Sequence, residues 1–178
     1  LMRGDRRHRA LQNLGTLDCG VHDVDLARYL TGADFSDIQA VGTIVEEANN
    51  YPDHIIMHAR MTNGVLVAVE ESAVWGYTAS DRPWYEQSYR MVGDNGVLAS
   101  RAVDPAAHHS RVELKIVSGS EQWTETLDSG KAWDETYRQF FQTILGTPPA
   151  HPFLADGHDA LANMIAARQV IEQCRQGA

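Results

Sequence analysis

Residues 54–72 read HIIMHARMTNGVLVAVEES, and this stretch decides the fold class. Ile55, Met57, Ala59 and Met61 alternate with His54, Ile56, His58 and Arg60, the two-residue period of a strand with one buried face. Asn63-Gly64 interrupts the run and a second strand-like segment follows to Ser72. Asn-Gly between two such segments is the strongest short-range signal for an antiparallel hairpin.

The pattern continues on both sides of the hairpin. DIQAVGTIVEE (37–47) precedes it, and WYEQSYRMVG (84–93), VLASRAV (97–103), RVELKIV (111–117) and QWTETLD (122–128) follow, joined by the turns DNG (94–96) and SGS (118–120). About six to eight strands with short connections predict an antiparallel meander, because parallel strands need long crossovers. RAVDPAAHHSR (101–111) reads as a loop between strands.

The ends of the chain change period. Val21, Val24, Ala27 and Leu30 recur every three residues and predict a helix closed by Gly32. Trp133, Tyr137, Phe140, Phe141 and Ile144 predict a buried face on a second helix, stopped by Gly146, Pro148 and Pro149. Asp156 is placed to cap a third, with Ala160, Met164, Ala167, Ile171 and Cys174 inward. The order predicts an α+β fold: a large, mostly antiparallel open sheet with helices packed on one face.

A chain of 178 residues suits one domain, with residues 1–13 expected to form a basic tail or junction and 14–178 the domain proper. Hydrophobic residues make up 43% and charged residues 22%, and no apolar run approaches the roughly 20 residues that span a bilayer, so a soluble protein is expected. The first residues lack the apolar core of a signal peptide, which makes the cytoplasm the expected location. Cys19 and Cys174 belong to no paired motif and read as reduced packing residues. The net charge is −9, and the first nine residues hold four arginines against one aspartate, so the remainder is more acidic still. Such a surface repels phosphate backbones and argues against nucleic-acid binding.

Candidate chemistry concentrates near the N-terminus. Asp18, His22 and Asp25 fall at spacings of four and three, with His22 and Asp25 on a helix face separate from the apolar one. A histidine exchanges protons near neutral pH, and a carboxylate one turn away can orient it or hold a substrate hydroxyl. Taken alone, the same spacing fits a capping aspartate and a surface histidine better. His54 and His58 share one side of a strand and read as partly exposed sheet residues rather than metal ligands. His108 and His109 sit in the predicted loop, His151 and His158 flank the last helix, and no metal is expected. No glycine-rich nucleotide turn is present, and neither Lys115 nor Lys131 is placed to join His22. Trp84, Tyr85 and Tyr89 are candidates for lining a sugar site and equally for sheet packing.

The stretch GTLDCGVHDVDLARYLTG (15–32) resembles the signature G-x-L-x-D-x-G-x-H-x-x-D-x-x-x-x-L-x-G of the Gfo/Idh/MocA oxidoreductases, which include glucose-fructose oxidoreductase and inositol dehydrogenase, with one residue missing around GTLD. HARMTNGVLVAVEESAVWGY (58–77), YRMVGDNGVL (89–98), ETYRQFFQTILG (135–146) and LADGHDALANMIAARQVIEQ (154–173) match in the same order, so the resemblance runs from 14 to 176. It implies an N-terminal Rossmann domain that binds NAD or NADP, followed by an α+β domain whose open sheet forms the subunit interface and whose signature helix faces the nicotinamide. Only the second of these domains matches here.

By position, the resemblance implies that His22 transfers the proton, that Asp18 binds or orients the reacting hydroxyl, and that Asp25 is a substrate-side polar group. The family's glutamate-lysine-proline motif and glycine-rich turn belong to the other domain, so this chain alone is expected neither to bind the cofactor well nor to turn over. The expectation is the substrate-binding and oligomerisation domain of an NAD(P)-dependent dehydrogenase for a sugar, polyol or related hydroxy compound, forming a homo-oligomer through its sheet. The alternatives are a non-catalytic sugar-binding or assembly module, and a half-enzyme complemented by a separate Rossmann chain.

Overall fold

The computed structural model describes residues 17–45, 52–72, 88–102, 111–128, 132–147 and 155–176. These fall into two compact units, one combining the N-terminal part to residue 74 with residues from 155 onward, the other spanning 75–154. The expected α+β class holds, with three helices and antiparallel sheets among the described residues. Among the described residues the strands form two ladders.

The first unit contains α1 (Leu17–Thr31), β1 (Phe35–Thr43), β2 (His54–Met61), β3 (Leu66–Ser72) and a long helix (Gly157–Gln176), which becomes α3 below. Its sheet runs β1-β2-β3 with β2 central, pairing Ala40 with Met57 and Met57 with Val69. The alternation read from the sequence is the alternation observed: Ile55, Met57, Ala59 and Met61 are buried while His58 and Arg60 face out. Thr62-Asn63-Gly64 makes a three-residue loop, with Gly64 at φ 88° and its N–H donating to the Met61 carbonyl. The left-handed position explains the glycine.

Helices α1 and α3 pack on the inner face of this sheet. Ala166, Ala167, Val170, Ile171 and Cys174 of α3 pack with Val24 of α1 against Ile38, Ile55, Met57 and Ala59. Gly42 permits the close approach, since a Cβ there would lie 2.9 Å from Pro52 Cβ and 3.0 Å from Cys174 Sγ. The amide of Gln173 satisfies the backbone of β1, donating to the Ile38 carbonyl at 2.8 Å and accepting from Ala40 N at 2.7 Å. Asp156 caps α3 as expected, accepting from the backbone N–H groups of His158 and Asp159, while its own N–H donates to the Asp159 carboxylate. Ala167, Ile171 and Cys174 are buried as expected, whereas Ala160 and Met164 are exposed, because toward its start the inward stripe runs through Asn163 and Ala166. Leu30, at the end of α1, is likewise exposed.

The second unit holds the meander β4 (Ser88–Gly93), β5 (Gly96–Ala102), β6 (Arg111–Ser118) and β7 (Glu121–Asp128), then α2 (Ala132–Ile144). Gly96 is required where a Cβ would meet the Val117 carbonyl oxygen at 1.9 Å. The expected buried face of α2 is corrected: Tyr137, Phe140, Phe141 and Ile144 are 50–63% exposed, and Gln139 on another stripe is 3% exposed. Periodicity marks which residues share a helix face, whereas burial depends on what packs against it. The side chain of Trp133 lies outside the described residues.

Candidate functional site

Helix α1 carries the residues singled out by sequence, and its sides have different neighbours. Gly20, Val24 and Ala27 form the buried seam. Gly32, at φ 62°, ends the helix by donating its N–H to the Arg28 carbonyl at 2.9 Å. Asn63 of the hairpin loop donates to the Thr31 carbonyl at 2.9 Å, tying the end of α1 to the sheet.

His22 is exposed on α1. Asp18 lies one turn earlier, and its side chain is outside the described residues. Asp25 is half-buried and turns toward α3, where Asn163 Nδ2 donates to its Oδ1 at 2.5 Å. Asn163 in turn accepts from Arg28 Nη1 at 3.0 Å. Arg28 also bonds Asp34 through Nε at 2.8 Å and pairs through Nη2 with Asp34 and Asp159 at 2.8 and 3.2 Å. Burial works against the charge of Arg28, but these carboxylates outweigh it and raise its pKa.

Asp23, the residue after His22 on α1, makes a connection that sequence reasoning missed. Glu71 of β3 shares a hydrogen bond with Asp23, and its pKa is pushed up to about 8, first by burial and then by Asp23. Two carboxyl groups in contact cannot both ionise cheaply, so Glu71 keeps its proton near neutral pH. A signal was present: Val67 and Val69 face the helices, and Glu71 falls on the same parity. Asn163 and Arg28 were missed because their partners lie far off in sequence.

His54 Nε2 is 3.9 Å from Glu70 on the outer sheet face, and His58 is exposed there. His158 is exposed beside Asp156. Lys115 is exposed on β6 and Tyr89 is half-buried on β4, while Trp84, Tyr85, His108, His109, Lys131 and His151 lie outside the described residues. Among the described residues no group of three or more potential ligands forms a metal site, and no helix is long and apolar enough to cross a membrane. Cys174 is a free, buried thiol, and Cys19 lies outside the described side chains.

Comparison with known proteins places this arrangement in context. A family model described as the GFO/IDH/MocA C-terminal domain matches residues 2–99. No curated protein sequence matches the chain. Among solved structures, UDP-N-acetylglucosamine 3-dehydrogenase GnnA from Acidithiobacillus ferrooxidans is similar at 20% identity and TM-score 0.66 over 88% of this chain and 46% of that one. The WlbA dehydrogenase from Bordetella pertussis, in complex with NADH and UDP-GlcNAcA, is similar at 14% identity and TM-score 0.57 over 89% and 42%. A super-repressor mutant of Gal80p from Saccharomyces cerevisiae is similar at 17% identity and TM-score 0.62 over 89% and 47%. The chain thus spans less than half the length of each of these proteins.

Proposed function

Because the chain belongs to the GFO/IDH/MocA C-terminal domain family, we propose that it is the substrate-binding and proton-transferring part of an NAD(P)-dependent dehydrogenase acting on a sugar derivative. The observation that carries this reading is the presentation of His22, exposed on a helix tethered to α3 and to the sheet. Oxidation of an alcohol removes a hydride from carbon and a proton from oxygen, and the proton needs an acceptor that titrates near neutral pH. His22 takes that proton, Asp18 one turn away holds the hydroxyl, and Asp25 stands at the edge of the site with one oxygen committed to Asn163.

A nicotinamide cofactor supplies hydride acceptance in this chemistry. The residues of this chain do not fit it alone, since no two glycines stand two apart to start a G-x-G-x-x-G turn. We therefore assign cofactor binding to a Rossmann domain outside these 178 residues, on the same polypeptide or a separate one. The outer face of the first unit's sheet, with Val41 and Leu66 exposed beside His58, supports self-association through that sheet.

The test uses protein isolated from its native cells, with NAD or NADP and a panel of nucleotide sugars headed by UDP-N-acetylglucosamine, following nicotinamide reduction. Substituting His22→Asn is expected to lower kcat by about 10²-fold or more with little change in KM. Full turnover by that variant overturns the role of His22. A second reading, a non-catalytic sugar-binding or assembly module, is favoured by the likeness to the super-repressor mutant of Gal80p. It predicts binding without nicotinamide reduction in every arm.

A further inference from the structure

We propose that Asn163 is the positioning residue of the candidate active site, fixing through Asp25 and Arg28 the rotation of α1 and hence the direction in which His22 is presented. This inference rests on the reading of His22 given above and assigns a role to a residue on a different helix.

The buried seam of α1 consists of Gly20, Val24 and Ala27. Side chains this small form no ridge that a groove of the core could lock, so the seam leaves α1 free to turn about its own axis. A side-chain tip roughly 6 Å from the helix axis moves about 2 Å for a 20° turn. A misplacement of about 1 Å is enough to cost on the order of 10²-fold in rate. Apolar packing alone therefore leaves the histidine under-determined.

Directional bonds remove that freedom. Asn163 is 5% exposed and uses both ends of its amide, donating from Nδ2 to Asp25 and accepting at Oδ1 from Arg28. The two α1 residues it holds are three apart, on one side of the helix. Arg28 is itself held by Asp159 in the first turn of α3 and by Asp34 just before β1, so the anchor extends to the helix N-terminus and the sheet. Asp25 follows His22 by three residues and Asp18 by seven, which puts all three on one stripe. A rotation that breaks the Asn163 bonds carries His22 with it. An apolar residue at 163 would fill the space but leave Asp25 and Arg28 each short of a partner.

The test is made on the full chain by NMR. The ring signals of His22 and the backbone amides of residues 20–28 report on α1, and the methyl groups of Met57 and Met61 report on the core beneath. Asn163→Leu is expected to shift the His22 ring signals and to raise hydrogen exchange of the α1 amides by about tenfold, with the Met57 and Met61 signals unchanged. Asn163→Asp sets a second carboxylate against Asp25 and is expected to shift the same ring signals. Adding Asp25→Asn to it lets donor and acceptor trade places and should restore them. Superimposable His22 signals in a folded Asn163→Leu variant overturn the proposal, as does failure of the exchanged pair to restore them. If Asn163→Leu does not fold, the Asn163→Asp and exchanged-pair comparison decides alone. The readout is ring position rather than turnover, so a displaced ring in Asn163→Leu combined with full activity in His22→Asn would remove the catalytic reading and leave the positioning role standing.

Discussion

The proton shared by Asp23 and Glu71 makes stability of the first unit depend on pH in an unusual direction. Glu71 has a pKa near 8 in the folded chain against an ordinary 4.5, so between those values the folded state holds a proton that the unfolded state has released. Its contribution is fully present below about pH 4.5 and is lost as pH rises through about 8. Each unit of pKa difference corresponds to about 1.4 kcal/mol. Partial contact with water screens part of that, leaving a loss of about 2 kcal/mol between pH 5 and pH 8. Glu71→Gln isolates the effect: the amide donates to Asp23 as the protonated acid does and cannot ionise. Urea unfolding, followed through the methyl signals of the buried residues Met57 and Met61, reports on this unit specifically. The variant is expected to match the parent near pH 5 and to exceed it by about 2 kcal/mol at pH 8.5. Subtracting the two profiles cancels the other carboxylates. A stability difference that stays constant across this range refutes the shared proton.

Three further outcomes test the packing around the site. Gly42→Ala forces a Cβ against Pro52 and Cys174 and is expected to cost about 1–3 kcal/mol in urea unfolding, with Cys174→Ala relieving part of that cost. Gln173→Leu removes both bonds to the backbone of β1 and is expected to cost about 1–2 kcal/mol and to speed exchange of the Ala40 amide. Burial pushes the Cys174 thiol up, so peptide mapping after treatment with a thiol reagent should find it at least tenfold slower to label in the native chain than in urea.

What could be read from sequence follows the range of each interaction. The β2–β3 hairpin was legible because alternation and an Asn-Gly turn are local, and the same signals gave the meander from Ser88 to Asp128. The cap at Asp156 was legible for the same reason. The face of α2 was not, because amphipathic periodicity reports a potential for burial and the covering surface is supplied from elsewhere. Of the candidate site, the Asp18, His22 and Asp25 spacing stood out, whereas the bond that turns Asp25 toward α3 joins residues 138 positions apart. No local pattern encodes such a pair. Glu71 was intermediate: its parity beside Val67 and Val69 marked it as inward-facing, but its partner had to be seen.

The long-range bonds explain why a helix with so little apolar burial holds a fixed place. Val24 and Ala27 bury only a few methyl groups, which stabilises docking by a few kcal/mol at roughly 25 cal/mol per Å². That seam has no directionality, so it can set the distance of α1 from the core without setting its rotation. Rotation is set by groups on either side of the seam: Asp23 against Glu71 of β3, and Asp25 with Arg28 against Asn163 of α3. The first contact weakens with rising pH and the second contains an arginine that stays charged, so α1 should loosen toward the sheet before it loosens toward α3. His22 is adjacent in sequence to Asp23 and three residues from Asp25. A helix held this way can present an exposed imidazole in one direction without apolar packing on every side.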